Sequence, residues 1–176
     1  MTPTTVNSGL SWSANRNNRH GPFEAPLIDM SFTSYTGGNA RQLGWTTSDA
    51  YVAMSYVAVQ TGTITSISTT KMEKAGSPTD NVICEAFTDN AGNPSTTSLG
   101  VSDAVSAATL PASSGTTVTF TFSTPISVTA GTTYWFVFTR TGAIDVTNFI
   151  RVIVSTTSQN AAVQFKRANS SRVWGI

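Results

Sequence analysis

The chain holds one histidine, His20, and one cysteine, Cys84, and these two residues bound its nucleophilic chemistry. A Ser-His-Asp or Cys-His mechanism needs an imidazole against the nucleophile, so any such site would have to recruit His20. His20 lies in the polar, turn-forming run Asn15-Arg16-Asn17-Asn18-Arg19-His20-Gly21-Pro22. Cys84 shares parity with Val82 and Ala86 in an apolar segment, where a small buried side chain is expected. Glycoside hydrolysis needs two carboxyls flanking a bond, and the nine acids are Glu24, Asp29, Asp49, Glu73, Asp80, Glu85, Asp89, Asp103 and Asp145. Most fall in turns, where Asp caps backbone amides, so no catalytic residue is assigned and a non-enzymatic chain is expected.

Oxygen ligands for a cation are richer. Asp80, Asn81, Asp89, Asn90 and Asn93 fall in loops expected to lie side by side, but the Asp-x-Asp-x-Asp-Gly spacing of a calcium loop is absent. A structural turn is the better reading, and no metal or cofactor is assigned. Sugar recognition uses an aromatic platform beside amide and carboxylate partners. Tyr35, Trp45, Tyr51, Tyr56 and Trp174 are eligible, and Trp45, Tyr51 and Trp174 form the candidate glycan platform. Asn169-Ser170-Ser171 matches a glycosylation acceptor and is read as chance.

The elements that would position these residues follow from composition. Charged residues make up 11% of the 176, and roughly thirty per cent are Ser or Thr, so hydroxyls cover much of the surface. Thr and Val suit a pleated strand, while the strong helix formers are scarce. A net charge of +1, with its basic residues scattered, offers no phosphate-neutralising stripe, so nucleic acid is not an expected partner. A lone cysteine rules out an intramolecular disulfide. No apolar run approaches the twenty residues of a membrane helix, and no membrane partner is expected.

From Tyr51 onward, short alternating segments recur between turns, as in a β-sandwich. Strands are expected over 51–59, 63–72, 82–88, 99–106, 117–123, 132–139, 149–155 and 161–167, with a tight turn at Asp89-Asn90-Ala91-Gly92-Asn93-Pro94. Val118, Phe120 and Phe122 alternate with Thr117, Thr119 and Thr121, so one face should be core and the other wet. Tyr134, Phe136 and Phe138 face opposite Trp135 and Val137, which makes that segment a central strand. The fold class is therefore all-β: an antiparallel, jelly-roll-like sandwich of about eight strands over 46–176, preceded by an irregular N-terminal arm over 1–45. In the arm, Trp12, Arg16, Arg19, Phe23 and Phe32 are the candidate assembly contacts, because aromatic and Arg anchors in a segment without alternation suit an interface. The alternative is an arm folded back over an open edge of its own sheet.

The stretch from about Ala50 to Phe138 resembles the choice-of-anchor R domains of bacterial and phage proteins, and more loosely the jelly-roll carbohydrate-binding modules. The residues that carry the resemblance are Thr63-Ile64-Thr65-Ser66-Ile67, Gly76-Ser77-Pro78-Thr79-Asp80-Asn81-Val82, Thr88-Asp89-Asn90-Ala91-Gly92-Asn93-Pro94, Val118-Thr119-Phe120-Thr121-Phe122 and Val128-Thr129-Ala130-Gly131-Thr132-Thr133-Tyr134-Trp135. The resemblance implies a display or attachment module without catalytic residues. The start, Met1-Thr-Pro-Thr-Thr-Val-Asn-Ser, lacks the basic and apolar regions of a secretory signal, so an unprocessed chain is expected. Together these point to a virion location: a structural bacteriophage subunit of the head decoration, neck or tail, contacting other virion proteins and copies of itself. A carbohydrate-binding or adhesin module for a cell-surface polysaccharide is the alternative.

Overall fold

The computed structural model describes residues 10–11, 31–32, 39–113, 115–154, 165–169 and 171–175. Their strands are β1 (Leu10–Ser11), β2 (Ser31–Phe32), β3 (Asn39–Leu43), β4 (Tyr51–Val57), β5 (Gly62–Thr69), β6 (Met72–Ala75), β7 (Asn81–Asn90), β8 (Asn93–Val101), β9 (Val105–Ser106), β10 (Val118–Val128), β11 (Thr133–Arg140), β12 (Phe149–Val154), β13 (Phe165–Ala168) and β14 (Trp174–Gly175). Two single-turn 3-10 helices, Thr47–Asp49 and Ala107–Thr109, are the helical pieces among the described residues. None is long and apolar enough to cross a membrane.

The chain is an all-β sandwich. One layer is a seven-stranded sheet ordered β14-β13-β4-β11-β7-β8, with β9 pairing the start of β7. Facing it is the four-stranded sheet β1-β2-β5-β10, whose Phe120 and Phe122 meet Phe138 and Phe136 of β11, and a third sheet comprises β3-β12-β6. β11 pairs with β4 on one side and β7 on the other, and its side chains are buried on both faces, as the sequence predicts for a central strand. Tyr134, Phe136 and Phe138 enter the main core, where Phe138 meets Phe120 edge-on at 5.2 Å between ring centroids and Phe136 meets Phe122 at 6.3 Å. Trp135 and Val137 pack on the outer face with Ala53 and Phe87. Alternation in β10 also matches expectation: Val118, Phe120 and Phe122 are buried, whereas Thr119 and Thr121 are exposed. Opposite β5 the β10 ladder breaks between Thr121 and Ile126, a bulge that accommodates Pro125, which has no amide to donate.

Several boundaries differ from the sequence reading for identifiable reasons. Asn39–Leu43, assigned from sequence to the arm, is strand β3; it pairs with β12 and sends Leu43 into the main core. The sandwich therefore begins before residue 46. The expected strand over 63–72 is two strands in two different sheets, separated at Thr70-Lys71, where the Lys71 amide donates to the Thr69 hydroxyl. The expected strand over 99–106 divides into β8 and β9 because Ser102 leaves the ladder. Its amide donates to the Cys84 carbonyl, and its hydroxyl accepts the Cys84 amide at 3.0 Å. The expected turn after β7 is a tight hairpin with Ala91 and Gly92 both at positive φ (50° and 77°), the pairing that matches strand twist. Within the arm, β1 pairs with β2, and β2 runs parallel to β5 at Ser68 and Thr69, on the edge of the chain's own four-stranded sheet.

Candidate functional site

Register places the first two site residues. Ala168 of β13 lies opposite Tyr51 of β4 on one side and opposite Trp174 of β14 on the other, so all three side chains share the outer face of the large sheet. Ala168 offers only a methyl between them, and the two rings lean together across it, 6.4 Å apart at 55°. Both pack against the outer cluster of Ala53, Phe87, Trp135 and Val137.

The turn joining β13 to β14 delivers a cation to the same place. The Asn169 side-chain oxygen accepts the amides of Ser171 (3.0 Å) and Val173 (3.1 Å), and the Asn169 carbonyl accepts the Arg172 amide at 2.9 Å. This network holds Arg172 at φ 55°, a left-handed conformation that a non-glycine residue adopts at a cost. Its guanidinium then lies 4.9 Å from the Tyr51 ring centroid and 5.3 Å from that of Phe87, and Nη2 donates to Glu85 Oε1 at 2.9 Å. Partial burial opposes the charge, but the Tyr51 contact and the Glu85 carboxylate outweigh it, and the Arg172 pKa is raised.

The β7–β8 hairpin supplies the opposite end. Asp89 Oδ1 accepts the Trp135 indole N–H at 2.7 Å and Oδ2 accepts the Gly92 amide at 3.2 Å, so this carboxylate is committed to fixing the hairpin on the sheet. Asn90, Asn93, Ser95 and Thr96 thereby line an open groove of about 610 Å³ together with Tyr51, Arg172 and Trp174. Tyr51 lies level with Thr139 of β11, whereas Asn90 lies beyond Thr88, which is level with Tyr134. At ~3.3 Å per residue the Tyr51 and Asn90 backbones are therefore roughly 20 Å apart along the strands. A tilted ring pair, amides and hydroxyls along such a groove can hold a polyhydroxylated chain by ring contact and hydrogen bonding.

No family model, curated protein or solved structure matches this chain.

Of the candidate glycan platform, Tyr51 and Trp174 are brought together and Trp45 is not. Trp45 follows β3 and rests against Phe149 of the three-stranded sheet, 6.5 Å between centroids. Tyr56 is buried in the main core, and Tyr35 lies outside the described residues. The candidate assembly contacts Trp12, Arg16, Arg19 and Phe23 also lie outside them, as does His20; of Phe32 only the backbone in β2 is described. Cys84 is fully buried, and burial, reinforced by Glu85, pushes its thiol well above the usual cysteine range, away from nucleophilic use.

The loops read from sequence as neighbouring cation ligands are not neighbours: Asp80 and Asn81 stand at one end of β7, and Asp89, Asn90 and Asn93 at the other. The Asp80 carboxylate instead takes Arg140 Nε at 2.9 Å, Arg140 Nη2 at 2.7 Å and the Gly142 amide at 3.0 Å. Among the described residues no cluster of three or more His, Cys, Asp or Glu could hold a metal. Sequence reasoning missed Arg172, Ser95 and Thr96 as groove residues and weighed Asn90 and Asn93 as cation ligands and turn formers, not as groove residues. The available signal was the shared parity of Arg172 and Trp174 at the end of the chain.

Proposed function

We propose that this chain is a non-enzymatic recognition module that binds a cell-surface polysaccharide, and that it does so as a structural subunit of a bacteriophage virion, in the head decoration, neck or tail. The observation that carries the recognition reading is the Tyr51–Trp174 ring pair set in an open groove with side-chain amides and hydroxyls. A non-catalytic role is supported by the engagement of the carboxylates around it: Glu85 is paired with Arg172, and Asp89 is bonded to Trp135 and Gly92. The virion placement rests on the resemblance of the central strands and turns to display domains of phage and bacterial surface proteins.

The test is retention of the purified chain on immobilised host polysaccharides, with localisation by cryo-EM of intact particles. Trp174→Ala should weaken retention about tenfold or more, whereas Trp45→Ala should not change it. Equal losses from both variants, or a chain absent from particles, would overturn the corresponding half of the proposal.

A further inference from the structure

We infer that the groove takes an internal, extended segment of an uncharged polysaccharide, not a terminal or acidic sugar, and that Glu85 sets this preference by neutralising Arg172. The inference rests on the polysaccharide-binding reading above and adds to it the length and charge of the ligand.

Length follows from the register. Tyr51 and Asn90 stand on strand positions roughly 20 Å apart along the sheet, more than one pyranose ring spans, so a ligand that uses both the ring pair and the hairpin amides needs consecutive sugar units. Multiple weak subsites on one ligand then make affinity climb with chain length.

Charge follows from the lining. Among the described residues Arg172 is the one charged residue that lines the groove, and its Nη2 is bonded to Glu85 Oε1 at 2.9 Å while its guanidinium faces the Tyr51 and Phe87 rings. The pair is formally neutral, and Glu85 is the more enclosed partner, with 13% of its side chain exposed against 37% for Arg172. A sugar carboxylate approaching Arg172 would have to share it with a carboxylate already fixed beside it, which is the unfavourable like-charge arrangement. Hydroxyl donors and acceptors meet no such opposition from Asn90, Asn93, Ser95 and Thr96.

The experiment is calorimetric titration of the full chain with cello-, manno- and chito-oligosaccharides of one to six units and with oligogalacturonates of the same lengths, at low and high NaCl. The expected result is binding of a neutral series that tightens about tenfold or more between one and six units and changes less than about twofold with salt. Glu85→Gln keeps a hydrogen-bond acceptor for Arg172 but frees its charge, and it should gain oligogalacturonate binding that added salt removes. Wild-type preference for oligogalacturonates, salt-sensitive binding, or a single sugar binding as tightly as six would overturn the inference while leaving polysaccharide recognition standing. Absence of binding to any carbohydrate, neutral or acidic, by a chain that melts cooperatively would overturn both.

Discussion

Replacing Phe120 by alanine should test the facing of the whole sandwich. Phe120 is fully buried on β10, lies opposite Ile67 of β5 and meets Phe138 of the other layer edge-on at 5.2 Å, so it bridges the two sheets. Removing a buried phenylalanine costs about 3–5 kcal/mol from lost transfer energy and the cavity left behind, of which the aromatic pair contributes roughly 0.5–1.5. Its neighbour Thr119 points outward and bonds the Ser68 hydroxyl at 2.8 Å, a contact worth about 0.5–1.5 kcal/mol at most when water can replace it. For a domain of this size the Phe120→Ala midpoint should fall by roughly 6–20 °C and that of Thr119→Ala by a few degrees. Thermal unfolding followed by circular dichroism, repeated in urea to confirm an unchanged m-value, measures both. Phe120→Leu, which refills much of the cavity, should recover a substantial part of the loss. Similar shifts for Phe120→Ala and Thr119→Ala would refute the facing, and with it the claim that alternation in β10 reports burial.

Three further outcomes are expected. Burial raises the Asp80 pKa, but hydrogen bonds from Arg140 and the Gly142 amide outweigh it and hold the carboxyl below the ordinary aspartate range. A depressed folded-state value contributes stability above the unfolded pKa that is lost as pH falls through the folded one, so the melting midpoint should drop below about pH 4. Asp80→Asn should be less stable at neutral pH and flatter across that acid window, and an unchanged acid slope would remove Asp80 from the account. Asp89→Ala strands the buried indole N–H of Trp135 and should cost about 1–3 kcal/mol in urea unfolding, with altered tryptophan emission; a neutral result would mean water reaches that nitrogen. Deleting residues before Asn39 removes β1 and β2 from the four-stranded sheet and should lower the melting midpoint, and deleting through Leu43 also removes β3 and should lower it further. An unchanged midpoint after the shorter deletion would mean that the β2–β5 pairing adds nothing to the stability of its own chain.

What the sequence could reveal about the fold depended on whether a strand's pattern records its own surroundings. β10 is half-buried and reads as strict alternation; β11 is flanked on both sides and reads as apolar on both faces. β3 is different: Asn39-Ala40-Arg41-Gln42-Leu43 sits at a sheet edge, and among its described side chains Leu43 alone is buried, so no period marks it. The break at Thr70-Lys71 has neither Gly nor Pro, and a change of sheet is a fact about partners that local propensity does not encode. The same holds for the separation of β3-β12-β6 from β1-β2-β5-β10 as a sheet of its own.

The groove was half legible for a related reason. Residue type nominated Tyr51 and Trp174, but it nominated Trp45 equally well, and only the register through Ala168 separates them. Low charge was the more informative clue, though its meaning emerges only in three dimensions. With 11% charged residues, this chain engages six of its described acids with its own groups: Asp80 with Arg140, Glu73 with Arg151, Glu85 with Arg172, Asp89 with Trp135, Asp103 with Ser123, and Asp145 with the amides of Thr147 and Asn148. On the reading proposed above, recognition falls to rings, amides and hydroxyls, the groups that bind a neutral polyol while making no demand on its charge.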